Sequence, residues 1–123
     1  MHSRVLIADD NRDLADNLGE IVAGAGYVPT VVYDGESAAR LGRSERFAAA
    51  VLDITMPRRD GLRVCAEIHQ LWPATRIVLI TGYDPRPDQA AGAGAAATLS
   101  KPLDVARLLS ILGAAGDGSR EQP

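Results

Sequence analysis

Four short runs in the sequence are apolar almost without interruption: Val5 to Ala8, Val28 to Val32, Ala48 to Leu52 and Ile77 to Ile80. A strand with one wet face alternates polar and apolar residues, whereas a strand covered on both faces is apolar throughout, so these runs predict buried strands. Between them the period lengthens. Leu14, Leu18, Ile21 and Val22 recur at helical spacing, as do Leu62, Cys65, Ile68 and Leu71, and a weaker helix is expected from about Glu36 to Leu41. Trp72, standing before Pro73, reads as the anchor that ends the third helix. After Ile80, Pro85, Pro87, Gly92 and Gly94 interrupt an alanine-rich stretch, leaving space for only a short helix before a small strand at Ala97 to Leu99. Leu103, Ala106, Leu108, Leu109 and Leu112 mark a final helix. Beyond it "GAAGDGSREQP" is polar and Gly-rich, so the expected organisation is one domain over residues 1–115 and a flexible tail or linker start over 116–123.

Five strands, each followed by a helix, imply an α/β fold: a doubly wound parallel sheet with helices on both faces, because parallel neighbours need crossover connections. In such an open sheet, sites form at the carboxyl ends of the strands near the switch in strand order. The first strand ends in "IADDN", giving Asp9 and Asp10, and the third ends at Asp53. The fourth ends in "LITG", giving Thr81, and the fifth in "LSKP", giving Lys101 before Pro102. Polar groups scattered along the chain are thereby predicted to meet on one rim.

Composition narrows what that rim can serve. A chain of 123 residues with 46% apolar content has room for one core. Thirteen basic against sixteen acidic residues, with no basic block, argue against nucleic-acid binding. No apolar stretch reaches the length of a membrane span, and the N-terminus lacks a signal-peptide core, so the expected location is cytoplasmic. Cys65, the only cysteine, reads as a small buried apolar residue.

Three carboxylates in one pocket resist ionising together unless a cation intervenes. A hard divalent ion such as Mg²⁺ fits, since it takes oxygen ligands and needs only one or two carboxylates. Lys101 offers a point charge for an oxyanion and Thr81 a hydroxyl donor. These are the parts of a phosphoryl-transfer site, with an aspartate as nucleophile because a carboxylate can accept a phosphoryl group as an acyl phosphate. Asp53 stands alone at its strand end and is the candidate acceptor. Asp9 and Asp10 are paired and better placed to hold metal. Read singly, each residue has a plainer role: the acidic pair as helix N-terminal residues, Asp53 as a turn cap, Thr81 as a strand-end residue.

The acidic pair in "LIADDN", the segment "LDITMPRRDG", the Thr of "ITG" and "GAAATLSKP", in that order over essentially the whole chain, resemble the receiver domains of two-component response regulators. The resemblance implies a flavodoxin-like (βα)5 fold with strand order 2-1-3-4-5. It implies that Asp53 accepts a phosphoryl group from a phosphohistidine on a sensor histidine kinase or histidine phosphotransfer protein. Mg²⁺ would be held by Asp10, Asp53 and the backbone carbonyl of Thr55, with Asp9 acting through water. Thr81 and Lys101 would contact the phosphoryl oxygens, and the Lys101–Pro102 bond would be cis. Gly61, closing the acceptor loop, fits a place that tolerates little side chain. Such a domain catalyses only its own phosphorylation and dephosphorylation and passes the signal to an output domain or downstream protein. Dimers in the family form through the face of the fourth helix, fifth strand and fifth helix.

Two departures fall on that output face. Thr98 stands where the family often carries a switch aromatic, and the segment from Thr81 to Lys101 is short and rich in glycine and proline. Rival functions have less support. A haloacid dehalogenase-type phosphatase wants an aspartate two residues after its nucleophile, where this chain has Thr55, and "ADDNRD" would repel the phosphate of a flavodoxin-type cofactor. The alternative that remains is a receiver-like scaffold that signals by protein contact without phosphorylation. His69 reads as a surface or half-buried residue of the third helix, and the pair Arg58 and Arg59 as a solvated loop, with contact to the partner as the alternative.

Overall fold

The computed structural model describes residues 3–82 and 87–120. Strands and helices alternate in the order β1 (Arg4–Ala8), α1 (Arg12–Gly24), β2 (Val28–Val32), α2 (Gly35–Ser44), β3 (Ala49–Asp53), α3 (Gly61–Leu71), β4 (Arg76–Thr81), α4 (Pro87–Gly92), β5 (Ala97–Ser100) and α5 (Val105–Arg120). All strand pairs are parallel, in the order β2-β1-β3-β4-β5, as expected from the apolar runs and the family resemblance. Pro29 lies in β2, an edge strand, where a missing N–H costs no internal ladder bond.

The uninterrupted apolar runs are explained by two cores. Leu6, Ala8, Ala50, Leu52, Ile77 and Leu79 face α2, α3 and α4, while Val5, Ile7, Ala49, Val51, Val78 and Ile80 face α1 and α5. Successive strand residues point to opposite faces, so a strand buried on both needs no polar position.

Helix starts follow the strand ends. Asn11, Asp34 and Asp60 cap α1, α2 and α3 by accepting from the backbone N–H of Leu14, Ser37 and Arg63 at 3.1, 2.7 and 2.9 Å. Asp104 does the same for Arg107 at 3.1 Å, which starts α5 at Val105 rather than at Leu103. Trp72 ends α3 and donates from its indole Nε1 to the Gly42 carbonyl of α2 at 3.0 Å, the anchor expected of it.

Helix α5 runs on past Leu112 to Arg120, over the first part of the stretch 116–123 expected to be a flexible tail or linker start, whose last residues 121–123 lie outside the described residues. Once a helix is anchored, here through Leu108 and Leu112, each further residue adds a backbone hydrogen bond without needing an apolar side chain. Helix α4 has six residues, and Thr98 is half-buried in β5 beside Leu79. No helix among the described residues is long and apolar enough to cross a membrane.

Candidate functional site

The strands deliver their last residues to one rim. Asp53 ends β3 beside Ile80 and is only 5% exposed. Asp9, directly after β1, is fully buried, and its Oδ1 accepts from Asn11 N at 2.9 Å. Asp10 is exposed. One carboxylate oxygen from each of the three lies within 4.8 Å of the others.

Lys101, directly after β5, closes the rim; its backbone N–H donates to the Thr81 carbonyl at 2.8 Å and its peptide bond to Pro102 is cis. Its Nζ sits 3.2 Å from Asp9 Oδ2 and donates to Asp53 Oδ2 at 3.4 Å. The Asp9 contact is an ion pair without hydrogen-bond geometry, which leaves Asp9 Oδ2 buried and lacking a hydrogen-bond donor. The backbone N–H of Thr55 donates to Asp53 Oδ1 at 3.4 Å. Asp10, Asp53, Thr55, Gly82 and Lys101 line an open cavity of about 340 Å³.

The electrostatics of this cluster are strained. Burial, followed by the negative charge of Asp9, pushes the Asp53 carboxyl up to about 6, and the nearby Lys101 ammonium offsets only part of this. Burial acts to lower the pKa of Lys101, but the Asp9 and Asp53 carboxylates outweigh it and the net direction is upward. One ammonium therefore serves two buried carboxylates, and the exposed Asp10 carboxylate lies close to both. The donors are all oxygen, and Asp9 Oδ2 has the Lys101 ammonium beside it but accepts no hydrogen bond. This set fits a hard divalent cation.

Gly61 explains how Asp53 is held. Its N–H donates to the Ile54 carbonyl at 2.7 Å, and a Cβ on it would run into the Asp53 carbonyl. Asp9, Asp10, Asp53, Thr55 and Lys101 are thus brought together as the sequence predicts. Thr81 ends β4, buried at 2% exposure, and the cavity lining takes in its neighbour Gly82 instead. Gly82 carries no side-chain chemistry, so nothing in the sequence singles it out.

The family model for the response regulator receiver domain matches residues 5–113. The chain belongs to this family. A response regulator receiver protein of Anaeromyxobacter is 37% identical over 110 residues, which cover 88% of this chain and 46% of that protein. The chain thus spans about half the length of the curated relatives it matches. Among solved receivers, a Burkholderia pseudomallei response regulator with a phosphorylated aspartic acid, calcium ion and citrate is similar at TM-score 0.82 and 28% identity, covering 98% of this chain and 73% of that one. TrrA of Thermotoga maritima, in complex with Mg²⁺-BeF, is similar at TM-score 0.83 and 28% identity, covering 92% and 98%. As a receiver domain, this chain is a signalling module of the two-component class.

Proposed function

We propose that this receiver is a phosphorylation-dependent switch in which Asp53 takes a phosphoryl group from a phosphohistidine in a Mg²⁺-dependent reaction. The observation that carries this reading is the placement of Lys101 Nζ 3.4 Å from Asp53 Oδ2 at the mouth of a cavity shared with Asp10 and Thr55. Asp10, Asp53 and the Thr55 carbonyl would hold Mg²⁺, with Asp9 acting through water. When bound, the cation supplies charge neutralisation at the phosphoryl oxygens. An Asp53 oxygen attacks phosphorus as the P–N bond to imidazole breaks, and the electron pair leaves on the imidazole nitrogen. Lys101 and Thr81 are assigned to the phosphoryl oxygens, Lys101 by charge and Thr81 as a hydroxyl donor once drawn toward the cavity. The active unit is residues 1–115, acting in the cytoplasm, with no catalysis beyond its own phosphorylation and dephosphorylation. Its output is a further domain or a downstream protein, and a homodimer would use the α4–β5–α5 face. No observation at these residues favours the scaffold reading.

Chelation tests the metal requirement. Acetyl phosphate should label the protein in Mg²⁺ and leave it unlabelled in excess EDTA; equal labelling in both would contradict the reading.

The donor's docking place is an apolar groove of about 250 Å³ beside Lys101, between α1 and the turn into α5, lined by Leu14, Ile21, Pro102, Leu103 and Val105 among others. A helix carrying the phosphohistidine would cover it. Val105 is 37% exposed, so Val105→Arg should fold normally. The variant should accept from acetyl phosphate within about twofold of the wild type. Transfer from a histidine phosphotransfer protein that serves the wild type should slow by about tenfold or more, the loss of a central apolar anchor. Equal rates from that protein would move the docking face elsewhere.

A further inference from the structure

The loop between Asp53 and α3 holds a shape that an unanchored chain would leave. Arg58 has a φ of 73°, and Arg59 N donates to the Pro57 carbonyl at 2.8 Å. A positive central φ spanned by a hydrogen bond two residues long is the rarer, strained form of γ-turn, and arginine lacks the freedom of glycine there. Such a turn persists where its flanks are fixed from outside. One flank is fixed by backbone: Gly35 N donates to the Pro57 carbonyl at 3.4 Å, and a Cβ on Gly35 would overlap the Arg59 carbonyl.

The other flank is fixed by one carboxylate. Arg59 Nη1 donates to both oxygens of Glu67, at 2.8 and 3.0 Å. Arg43 of α2 donates to Glu67 Oε1 at 2.9 Å, and Arg63 of α3 to Oε2 at 3.2 Å. Glu67 and Arg59 are the less exposed members, at 23% and 24%, against 47% and 71% for Arg43 and Arg63. Of the three arginines only Arg59 belongs to the loop. Its link to Glu67 spans eight residues and ties the loop to the second turn of α3.

We propose that Glu67 is a positioning residue of the phosphoacceptor site: by holding Arg59 it fixes the loop 54–60, and with it the Thr55 backbone beside Asp53, and so sets the affinity for the divalent cation. The inference rests on the metal reading above and deepens it. Arg43 and Arg63 touch the same carboxylate but ride on helices, so their loss leaves the loop anchored.

The test is a Mg²⁺ titration of the whole chain by calorimetry, with amide hydrogen exchange at Arg59 and Gly61 in metal-free protein. Glu67→Gln and Arg59→Gln should each weaken Mg²⁺ binding by about three- to tenfold, less than the ten- to hundredfold lost with groups that touch metal ligands directly. Both should speed exchange at Arg59 and Gly61. The double variant should be no worse than the weaker single one, since both break one link. Arg43→Gln and Arg63→Gln should stay within about twofold on both measures, although they remove partners of the same carboxylate. Wild-type affinity in Glu67→Gln, or equal weakening in Arg43→Gln and Arg63→Gln, would overturn the proposal. Should the wild type itself take no Mg²⁺, the metal reading fails and the exchange rates decide the clamp. Faster loop exchange confined to Glu67→Gln and Arg59→Gln supports it, and unchanged exchange overturns it.

Discussion

Gly61→Ala should cost about 2–3 kcal/mol of stability and weaken Mg²⁺ binding by an order of magnitude or more, although it adds a single methyl. Gly61 is the first residue of α3, and its Cα lies against the Asp53 carbonyl, with the Asp53 carbonyl carbon and Ile54 Cα each 2.9 Å from where a Cβ would stand. These are backbone atoms, which cannot swing aside as a side-chain tip can. Relief requires the start of α3 to retreat from the end of β3, which stretches the 2.7 Å bond from Gly61 N to the Ile54 carbonyl and shifts Asp53. Gly24→Ala provides the control. A Cβ there meets nothing within 4 Å, so in helix α1 it should be neutral or stabilising by up to about 1 kcal/mol. Urea denaturation of the two variants checks both directions; equal stabilities would show that the approach of α3 to Asp53 is not tight.

Asp53→Asn should stabilise the metal-free protein at neutral pH and abolish its stabilisation by Mg²⁺. The Asp53 carboxyl stands at about 6 in the fold, above the ordinary value near 4 of an unfolded chain. Between those values the folded state binds more protons than the unfolded one, so this group's contribution to stability falls as pH rises through that window, and its full penalty is present above about pH 6. A shift of about two units sets a ceiling of about 3 kcal/mol, which water at the open rim reduces to roughly 1–2. Lys101 keeps a partner in the variant, since Asp9 Oδ2 is 3.2 Å away. Thermal melts without metal should therefore show the variant more stable at pH 7.5 and the two proteins converging near pH 4. With saturating Mg²⁺ the order should reverse, because only the wild type gains from a ligand bound by the folded state. A variant less stable at pH 7.5 without metal would mean that Asp53 is a structural anchor instead.

The sheet was legible because burial on both faces leaves an unmistakable apolar run, as at Ala48 to Leu52, and because parallel strands force their carboxyl ends onto one rim. Asp9, Asp10, Asp53 and Lys101 follow from that rule alone. The end of α5 was not legible, since backbone bonding carries the helix to Arg120 past the last packed leucine. Arg58 and Arg59 read as solvated, yet Arg59 reaches a carboxylate eight residues on, a contact created by the fold of the loop and invisible to helical or strand spacing. Gly35 gave no signal for the same reason: its neighbour, the Arg59 carbonyl, is distant in sequence. Thr81 was placed at the right strand end, but a strand-end position does not say whether a side chain enters the cavity or lies beneath it.

The central claim is that Asp53 becomes an acyl phosphate, and intact-mass spectrometry of the wild type and Asp53→Asn, side by side in acetyl phosphate and Mg²⁺, tests it most directly. The wild type should gain the mass of one phosphoryl group and lose it to hydroxylamine, as an acyl phosphate does, while the variant stays unlabelled. Equal labelling of the two proteins would contradict the assignment.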